Sequence, residues 1–469
     1  MVFQNDILAG SSGGSSASSV YKIDQSIRFN ASDYPKMTRT PSSAGNRRTF
    51  TLSTWIKRGA LSTDQVVFGS YINTTNYFLI YFDGTSHSTD NTFRVYEYNG
   101  NVLKFWVYGT QKFRDPSAWY HFVVSVDTTN AVSNERIRLY VNGSRITDLT
   151  QNQQPALNYE TYINSTNLQT IGEFYGNYYH FDGYMAEMHL LDGYAYDPSY
   201  FGLFNENGIW IPKEYSGSYG TNGFHIKGES ASDLGNDSSS NNNDFTTSGL
   251  ASHDQMVGES PTNNFCTYNS IQLQSGATLS NGNLDAVSSG SSWRNVHSTI
   301  GVSSGKWYWE VKADVINSSQ TWVAGIQETS FESKANYWWQ AGYTASSSGI
   351  VFGVLDSNYK VTNVTRTSFT HDIAQGDIVQ FQLNLDDNEL SVLVDGVSKG
   401  KIYDITANTE YTPAVCLYST SSATINFGQD GTFGGTETAG GNSDGNGIGN
   451  FKYSVPSGYL ALCTKNLGS

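Results

Sequence analysis

Carboxylates are the side chains in this sequence that could support hydrolytic chemistry. Glycoside hydrolysis needs two of them flanking the scissile bond, about 5–5.5 Å apart for retention of configuration and wider apart for inversion. The nearest candidate pair is Asp182 and Glu187, within the segment FDGYMAEM. Their odd spacing would place them on opposite faces of a regular strand. We therefore predict no catalytic residues and expect that the protein is not an enzyme.

Histidine and aspartate are the residues that would signal a bound metal. The eight histidines are scattered, without His-x-His or His-Glu-x-x-His spacing, so we predict no metal site. Asp83, Asp127 and Asp182 fall at the ends of predicted strands, where carboxylates and backbone carbonyls together suit Ca²⁺. Loop carboxylates are more often simply solvated. We predict no cofactor, with Ca²⁺ as the alternative.

Aromatic side chains give a stronger indication of binding. Tyrosine and tryptophan offer wide apolar faces with a polar edge, at a low cost in conformational entropy. Alternate members of an aromatic run usually pack into a core, but adjacent residues of a strand face opposite ways, which leaves some rings exposed. The predicted ligand-binding residues are Tyr175, Tyr178 and Tyr179 in EFYGNYYHF, and Tyr337, Trp338, Trp339 and Tyr343 in NYWWQAGY.

The elements that must position these residues are β-strands. Segments 136–147 (RIRLYVNGSRIT) and 389–402 (ELSVLVDGVSKGKI) each place an Asn-Gly or Asp-Gly pair between alternating strands. This is the strongest short-range signal for a tight β-hairpin. Further alternating strands precede both hairpins, at 120–127 and 377–386. The pattern predicts an all-β protein with two antiparallel β-sandwich (jelly-roll) domains joined by a polar connector.

Changes in composition divide the chain into four predicted segments. Residues 1–20 are rich in glycine and serine and are expected to form a flexible N-terminal anchor. Residues 21–204 and 266–469 contain the two sets of alternating strands. Between them, residues 205–265 include the polar run DLGNDSSSNNND and are predicted to be a connector.

Charge and composition exclude several functional classes. The net charge of −15 disfavours nucleic acid as a partner, because binding to phosphates requires a basic surface. The first residues show neither a basic nor an apolar signal region, and no stretch has the length of a membrane span. We therefore expect synthesis without a signal peptide and no membrane span. Exposed strand edges of two sandwiches also predict a homo-oligomer.

Several motifs resemble known families. TFTLSTWIKRG, WYHFVVSVD, RIRLYVNG and FDGYMAEMHL follow one another as in laminin-G/concanavalin-like domains. SSGKWYWEVKA, WVAGI, GDIVQFQLNLDDNELSVLVDG and YTPAVCLYSTSSATINFG resemble the successive strands of a SPRY domain. Glycosidases with the concanavalin-like fold usually supply their carboxylates as Glu-x-Asp-x-x-Glu, and this run is absent here. The resemblance therefore implies binding domains.

The combination of segments is similar to virion proteins of marine bacteriophages, of the cyanophage and pelagiphage type. The shared segments are MVFQNDILAG, GIWIPKEYSGSYGTNGF, DLGNDSSSNNNDF, SPTNNF and PSGYLALCTKNL. This resemblance implies a virion surface appendage such as a tail fibre, attached to other virion proteins through its N-terminus, which binds a carbohydrate or protein of the host surface. The alternatives are a capsid-surface decoration protein without a receptor role, a glycan-degrading enzyme and an intracellular SPRY-type interaction module.

Overall fold

The computed structural model describes residues 21–84, 90–176, 178–271, 273–331, 351–362 and 365–468. The predicted anchor, residues 1–20, lies outside them. The chain divides into two compact units, with the boundary between Thr262 and Asn263. β-Strands dominate the secondary structure of both units, which confirms the predicted all-β class and its two sandwiches. Among the described residues, no helix is both long and apolar enough to be a membrane span.

Antiparallel strands build the first unit. In chain order they are β1 (Gln25–Phe29), β2 (Lys36–Arg39), β3 (Thr49–Arg58), β4 (Gln65–Asn73), β5 (Asn76–Phe82), β6 (Thr92–Asn99), β7 (Val102–Lys112), β8 (Trp119–Asp127), β9 (Ile137–Val141), β10 (Ser144–Arg145), β11 (Leu149–Gln153), β12 (Leu168–Ile171), β13 (Gly183–Asp192), β14 (Gly202–Phe204), β15 (Trp210–Pro212), β16 (Phe224–Ile226), β17 (Thr246–Ser248) and β18 (Gln255–Val257). Short 3-10 helices lie at Ala31–Asp33, Ser133–Glu135, Pro198–Tyr200 and Ser252–Asp254.

These strands form two sheets that enclose one core. The first sheet has the order β10-β9-β8-β3-β13-β1-β18, with β16 also paired to β13. The second sheet has the order β11-β7-β6-β5-β4-β12-β2-β17, and β14 pairs separately with β15. Alternation decides which side chains enter the core: in β5, Phe78, Ile80 and Phe82 are buried between the sheets. The alternate residues Tyr77, Leu79 and Tyr81 consequently lie on the outer face of the second sheet.

The segment predicted to be a connector, 205–265, belongs to the first unit as far as Thr262. Its strands extend both sheets, and Phe224, Ile226 and Phe245 are buried in the core between them. The polar run within it forms an ordered turn: Asp237 accepts backbone hydrogen bonds from His225 at 2.7 Å and from Asn243 at 2.8 Å. Apolar residues spaced within a polar stretch thus attach the segment to the sandwich.

The second unit is also a sandwich of two antiparallel sheets. Its strands are β19 (Ala277–Ser280), β20 (Asp285–Ser288), β21 (Trp293–His297), β22 (Lys306–Val315), β23 (Trp322–Glu328), β24 (Val351–Leu355), β25 (Tyr359–Thr362), β26 (Thr365–Ser368), β27 (Ile378–Asn384), β28 (Glu389–Val394), β29 (Val397–Asp404), β30 (Tyr411–Tyr418), β31 (Ser422–Asn426) and β32 (Leu460–Ala461). One sheet has the order β19-β20-β31-β22-β27-β28-β29, with β32 parallel to β22, and the other has the order β21-β30-β23-β24-β25-β26.

Candidate functional site

Aromatic side chains cover the outer face of the second sheet of the first unit. The strand register aligns them in three rows across β4 to β7, because directly opposed residues of neighbouring strands point to the same face. We call this set the tyrosine face; its rows are Tyr71, Tyr77 and Tyr98; Leu79, Tyr96 and Trp106; and Tyr81, Arg94 and Tyr108. The ring centroids of Tyr77 and Tyr96 lie 5.7 Å apart in an edge-to-face arrangement. The face is therefore a closely packed surface of rings.

A short turn adds exposed rings to one end of this face. Phe174 and Tyr178 exchange two backbone hydrogen bonds, of 2.8 and 3.2 Å, across Gly176. Gly176 has a φ of +77°, a conformation that glycine adopts without steric cost. The ring of Tyr175 stacks on Tyr71 with a centroid distance of 3.9 Å and an interplanar angle of 6°. The turn thus holds Tyr175 flat against the tyrosine face.

The first predicted aromatic cluster is accessible to a ligand. Tyr175, Tyr178 and Tyr179 expose 50%, 63% and 43% of their surface, respectively. The backbone carbonyl of Tyr179 accepts a hydrogen bond of 2.9 Å from the Val66 amide in β4, which fixes the turn to the sheet. The structure therefore brings these three residues together beside Tyr71. The second cluster, Tyr337, Trp338, Trp339 and Tyr343, lies outside the described residues and stays a prediction.

The charges within the tyrosine face are neutralised. The Arg94 guanidinium packs 4.4 Å from the ring centroid of Tyr108 and pairs with the buried carboxylate of Asp83. Asp83 also accepts hydrogen bonds from the backbone amide and the hydroxyl of Thr92, at 2.6 and 2.8 Å. Burial raises the pKa of both Tyr81 and Tyr96, so their phenols stay neutral over the physiological range. Five of the nine members are buried and the other four are half-buried, so the face offers parts of four rings: Tyr77, Tyr96, Tyr98 and Trp106.

The three aspartates considered for Ca²⁺ accept hydrogen bonds from the protein itself. The carboxylate of Asp83 forms an ion pair with Arg94, as described above. Asp127 accepts hydrogen bonds from the backbone amide and hydroxyl of Thr129 at 3.0 and 2.6 Å, and Asp182 accepts one of 3.3 Å from the Ala31 amide. The absence of a cofactor stays the prediction, and Ca²⁺ at these residues stays its untested alternative.

A second polar cluster lies on the outer face of the first sheet, where the sequence predicted no metal site. Glu187 and His189 come from β13 and His225 from β16. One oxygen of Glu187, Oε2, lies 2.9 Å from His225 Nε2 and 3.4 Å from His189 Nε2. The Tyr21 hydroxyl donates a hydrogen bond of 2.9 Å to the same oxygen. All three cluster residues are buried.

A break in the strand explains why sequence reasoning missed this cluster. A β-bulge interrupts the pairing of β13 with β3 between Ala186 and His189, and Glu187 has a φ of +49°. The regular alternation on which the sequence prediction relied consequently fails at Glu187. Burial would raise the pKa of this carboxyl, but hydrogen bonds from His189 and His225 outweigh burial and lower the pKa below its usual range. The Glu-x-His pair in β13 was the available sequence signal.

A third histidine, His121, lies on the same outer face. Its ring lies between Trp55 and Trp210, with centroid distances of 4.8 and 5.9 Å, respectively. The Trp210 indole donates to Nδ1 at 3.0 Å, so Nε2 carries the proton and donates to the Ser53 hydroxyl at 2.8 Å. Burial lowers the pKa of His121 to about 3, and the ring is neutral at pH 7.

Comparisons with known proteins identify both units. Residues 30–195 match the family described as the Concanavalin A-like lectin/glucanases superfamily, and residues 306–430 match the SPRY domain family. A search of curated protein sequences found no match.

Solved structures with similarity to this chain include SPRY domains. The SPRY domain of human HERC1 has 19% identity and a TM-score of 0.28, and the match covers 34% of this chain and 96% of that one. The TRIM65 PSpry domain has 16% identity and a TM-score of 0.28, with coverages of 34% and 91%. Stonustoxin has 20% identity and a TM-score of 0.27, with coverages of 34% and 27%. Together, the two family matches show that this chain combines a concanavalin-like domain with a SPRY domain.

Proposed function

We propose that this chain is a non-enzymatic binding protein that holds carbohydrate on the tyrosine face of its concanavalin-like domain. The observation that carries the proposal is the exposure of Tyr175 and Tyr178 beside the half-buried rings of the tyrosine face, with Tyr175 stacked on Tyr71. A sugar ring has C–H groups on its faces and hydroxyl groups around its rim. An aromatic plane edged by phenol hydroxyls complements both parts.

The packing of the tyrosine face supports this role because the rings are fixed before a ligand arrives. Tyr71 holds Tyr175 by stacking, and the edge-to-face contact between Tyr77 and Tyr96 continues the surface. A preorganised surface loses little side-chain entropy on binding. Few charged groups are available there, since the ion pair with Asp83 satisfies Arg94. We therefore expect selectivity for neutral hydroxyl-rich ligands, with modest affinity at each site.

Weak individual sites suit a protein displayed in many copies. Identical sites on one particle act together through their effective concentration, so avidity exceeds the affinity of each site by several orders of magnitude. We propose such a display on the surface of a bacteriophage particle, as a fibre-like appendage that binds host-surface glycans. The motive is the resemblance to phage virion proteins that the sequence implies for the segments GIWIPKEYSGSYGTNGF and PSGYLALCTKNL, to which the two family matches add nothing. Capsid decoration without a receptor role is the second candidate.

A glycan array probed with the purified chain tests the binding proposal. We expect binding to a restricted set of neutral glycans, and loss of that binding in the Tyr175→Ala/Tyr178→Ala double variant. Tyr200→Ala is a matched control, because Tyr200 is 41% exposed and stacks on Tyr196 at 3.8 Å and 7°. If the double variant still bound the same glycans on the array, the tyrosine face would not be the carbohydrate-binding site. Release of oligosaccharide fragments during incubation would instead favour a glycan-degrading enzyme.

Particle composition tests the proposed location. Mass spectrometry of purified virions should detect this chain, and its copy number separates the two structural roles. A small multiple of three or six per particle supports a tail appendage, whereas hundreds of copies support capsid decoration. Absence of the chain from the particle would contradict both roles while leaving carbohydrate binding to be decided by the array.

A further inference from the structure

We infer that Glu187, His189 and His225 form a binding site for a divalent transition-metal ion, with zinc as its representative. The candidate ligand atoms, one from each residue, all lie within 4.8 Å of one another. This site is on the first sheet of the concanavalin-like domain, whereas the tyrosine face is on the second. The inference is therefore independent of the proposed carbohydrate binding.

The ligand atoms lie close enough together for one small cation to bridge them. Zinc binds imidazole nitrogen and carboxylate oxygen at about 2.0–2.2 Å, so ligands in a tetrahedral site lie roughly 3.3–3.6 Å apart. Glu187 Oε2 is 3.4 Å from His189 Nε2 and 2.9 Å from His225 Nε2. A metal-bound arrangement would lengthen the separation between Glu187 and His225 and move the two imidazoles apart. Each imidazole turns about its terminal torsion, which is soft in histidine.

The choice of metal follows from the ligand types. Two imidazoles and one carboxylate suit zinc and similar first-row ions, whereas Ca²⁺ prefers a shell made of oxygen atoms. The imidazoles of His189 and His225 are stacked, with centroids 3.9 Å apart and an interplanar angle of 24°. A cation bound between their Nε2 atoms would open this stack, and that opening is a specific structural expectation.

A neighbouring group forms the kind of outer hydrogen bond that orients histidine ligands in metal sites. The Tyr219 hydroxyl lies 3.0 Å from His189 Nδ1, so His189 is hydrogen-bonded through the nitrogen that faces away from Glu187. Such second contacts orient metal-binding histidines and raise their affinity for the ion. The left-handed backbone of Glu187, at a φ of +49°, is a strained conformation for this residue type. Strain of this kind is concentrated at functional sites.

The position of the cluster indicates a structural role for the ion. It joins β13 to β16, and the Tyr21 hydroxyl, 2.9 Å from Glu187 Oε2, brings in the chain segment before β1. A small pocket borders Glu187 and His189, and its walls include Trp55, His121 and Phe201. An ion held there would clamp three segments that are far apart in the sequence. We expect it to raise the stability of the concanavalin-like domain.

Zinc titration of the full chain tests this inference. After dialysis against a chelator, isothermal titration with zinc chloride should show one ion bound per chain, and zinc should raise the melting temperature. Glu187→Gln and His225→Gln should each weaken zinc binding by about 100-fold or more, since loss of a supporting contact alone costs 10–100-fold. His297→Asn removes a buried histidine of the SPRY-containing unit, outside the cluster, and should bind zinc like the original chain.

X-ray absorption at the zinc edge keeps the inference testable if a variant fails to fold. The original chain should show nitrogen and oxygen neighbours at about 2.0–2.2 Å, with scattering from two imidazoles. Either no uptake of zinc by the original chain, or bound zinc without two imidazoles, would overturn the inference. Unchanged zinc affinity in folded Glu187→Gln and His225→Gln would overturn it as well.

Discussion

Glu97 lies directly beneath the tyrosine face and should make the concanavalin-like domain less stable as pH rises. It is fully buried in β6 between Tyr96 and Tyr98, and burial raises its pKa from 4.5 to about 8. Hydrogen bonds from the Tyr159 hydroxyl at 2.7 Å and the Tyr162 amide at 2.9 Å offset part of that effect. The folded state therefore keeps this carboxyl protonated well above the pH at which the unfolded chain ionises it.

The sign of the effect follows from proton binding in the two states. Between about pH 4.5 and pH 8 the unfolded state holds fewer protons at Glu97 than the folded state, so the free energy of unfolding falls as pH rises. Above about pH 8 the folded state has also lost the Glu97 proton, and the free energy of unfolding no longer falls because of this group. A shift from 4.5 to about 8 corresponds to a cost on the order of 5 kcal/mol, because one pKa unit is about 1.4 kcal/mol.

Replacing the carboxyl by a neutral amide of the same shape isolates this contribution. In Glu97→Gln the amide oxygen can accept from the Tyr162 amide, while the Tyr159 hydroxyl turns to accept from the new NH₂ group. The variant should match the original chain near pH 4 and exceed its stability by several kcal/mol near pH 9. The measurement is urea denaturation followed by circular dichroism at several pH values from 4 to 9. The free energy of unfolding is taken from the unfolding transition whose midpoint the substitution shifts.

Glu160→Gln is the matched control for this experiment. Glu160 is about half-exposed and pairs with Arg47 and Arg48 at 3.2 and 2.8 Å. Such surface pairs contribute roughly 0–1 kcal/mol, so this variant should follow the pH profile of the original chain. If the stability difference between Glu97→Gln and the original chain were constant from pH 4 to pH 9, the argument from burial would be refuted.

Three further substitutions test local packing, two of them at the tyrosine face and its turn and one in the SPRY-containing unit. Arg94→Ala leaves the buried Asp83 carboxylate without its partner and should cost about 3–5 kcal/mol in urea denaturation, with Arg94→Lys less damaging. Glu310→Ala removes the acceptor of the Lys452 and Tyr453 amides, at 3.0 and 2.8 Å, and should destabilise the SPRY-containing unit by about 2–4 kcal/mol, whereas Glu310→Gln retains one acceptor. Gly176→Val places a branched residue at a φ of +77° and should weaken glycan binding measured by titration, without unfolding the domain.

The two hairpins show what local sequence determined here. Asn142–Gly143 and Asp395–Gly396 have positive φ angles of 45° and 78°, and of 49° and 77°, as tight hairpin turns require. They connect β9 to β10 and β28 to β29, where the sequence predicted hairpins. The fold class was therefore predictable, because turn chemistry and alternation are local properties.

The candidate site could not be predicted in full from the alternation of apolar and polar residues, because it also depends on strand order and register. Tyr175 could be identified as a ring in a turn, but its stacking on Tyr71 depends on the strand order that places β4 beside β5 and β12. The rows of the tyrosine face depend likewise on the register between strands that are separated by turns. Glu187 escaped prediction because a bulge changes which way its side chain points, and no sequence pattern marked that bulge.

Titration of the best-binding neutral oligosaccharide tests the central claim most directly. Isothermal titration would compare the original chain with Tyr175→Ala and with the matched control Tyr200→Ala. In the original chain, the ring of Tyr175 stacks on a neighbouring tyrosine at 3.9 Å and the ring of Tyr200 does so at 3.8 Å. Loss of one anchoring ring should cost at least about 1.4 kcal/mol, a tenfold rise in Kd, for Tyr175→Ala alone. Equal Kd values for the three proteins would contradict the assignment of carbohydrate binding to the tyrosine face.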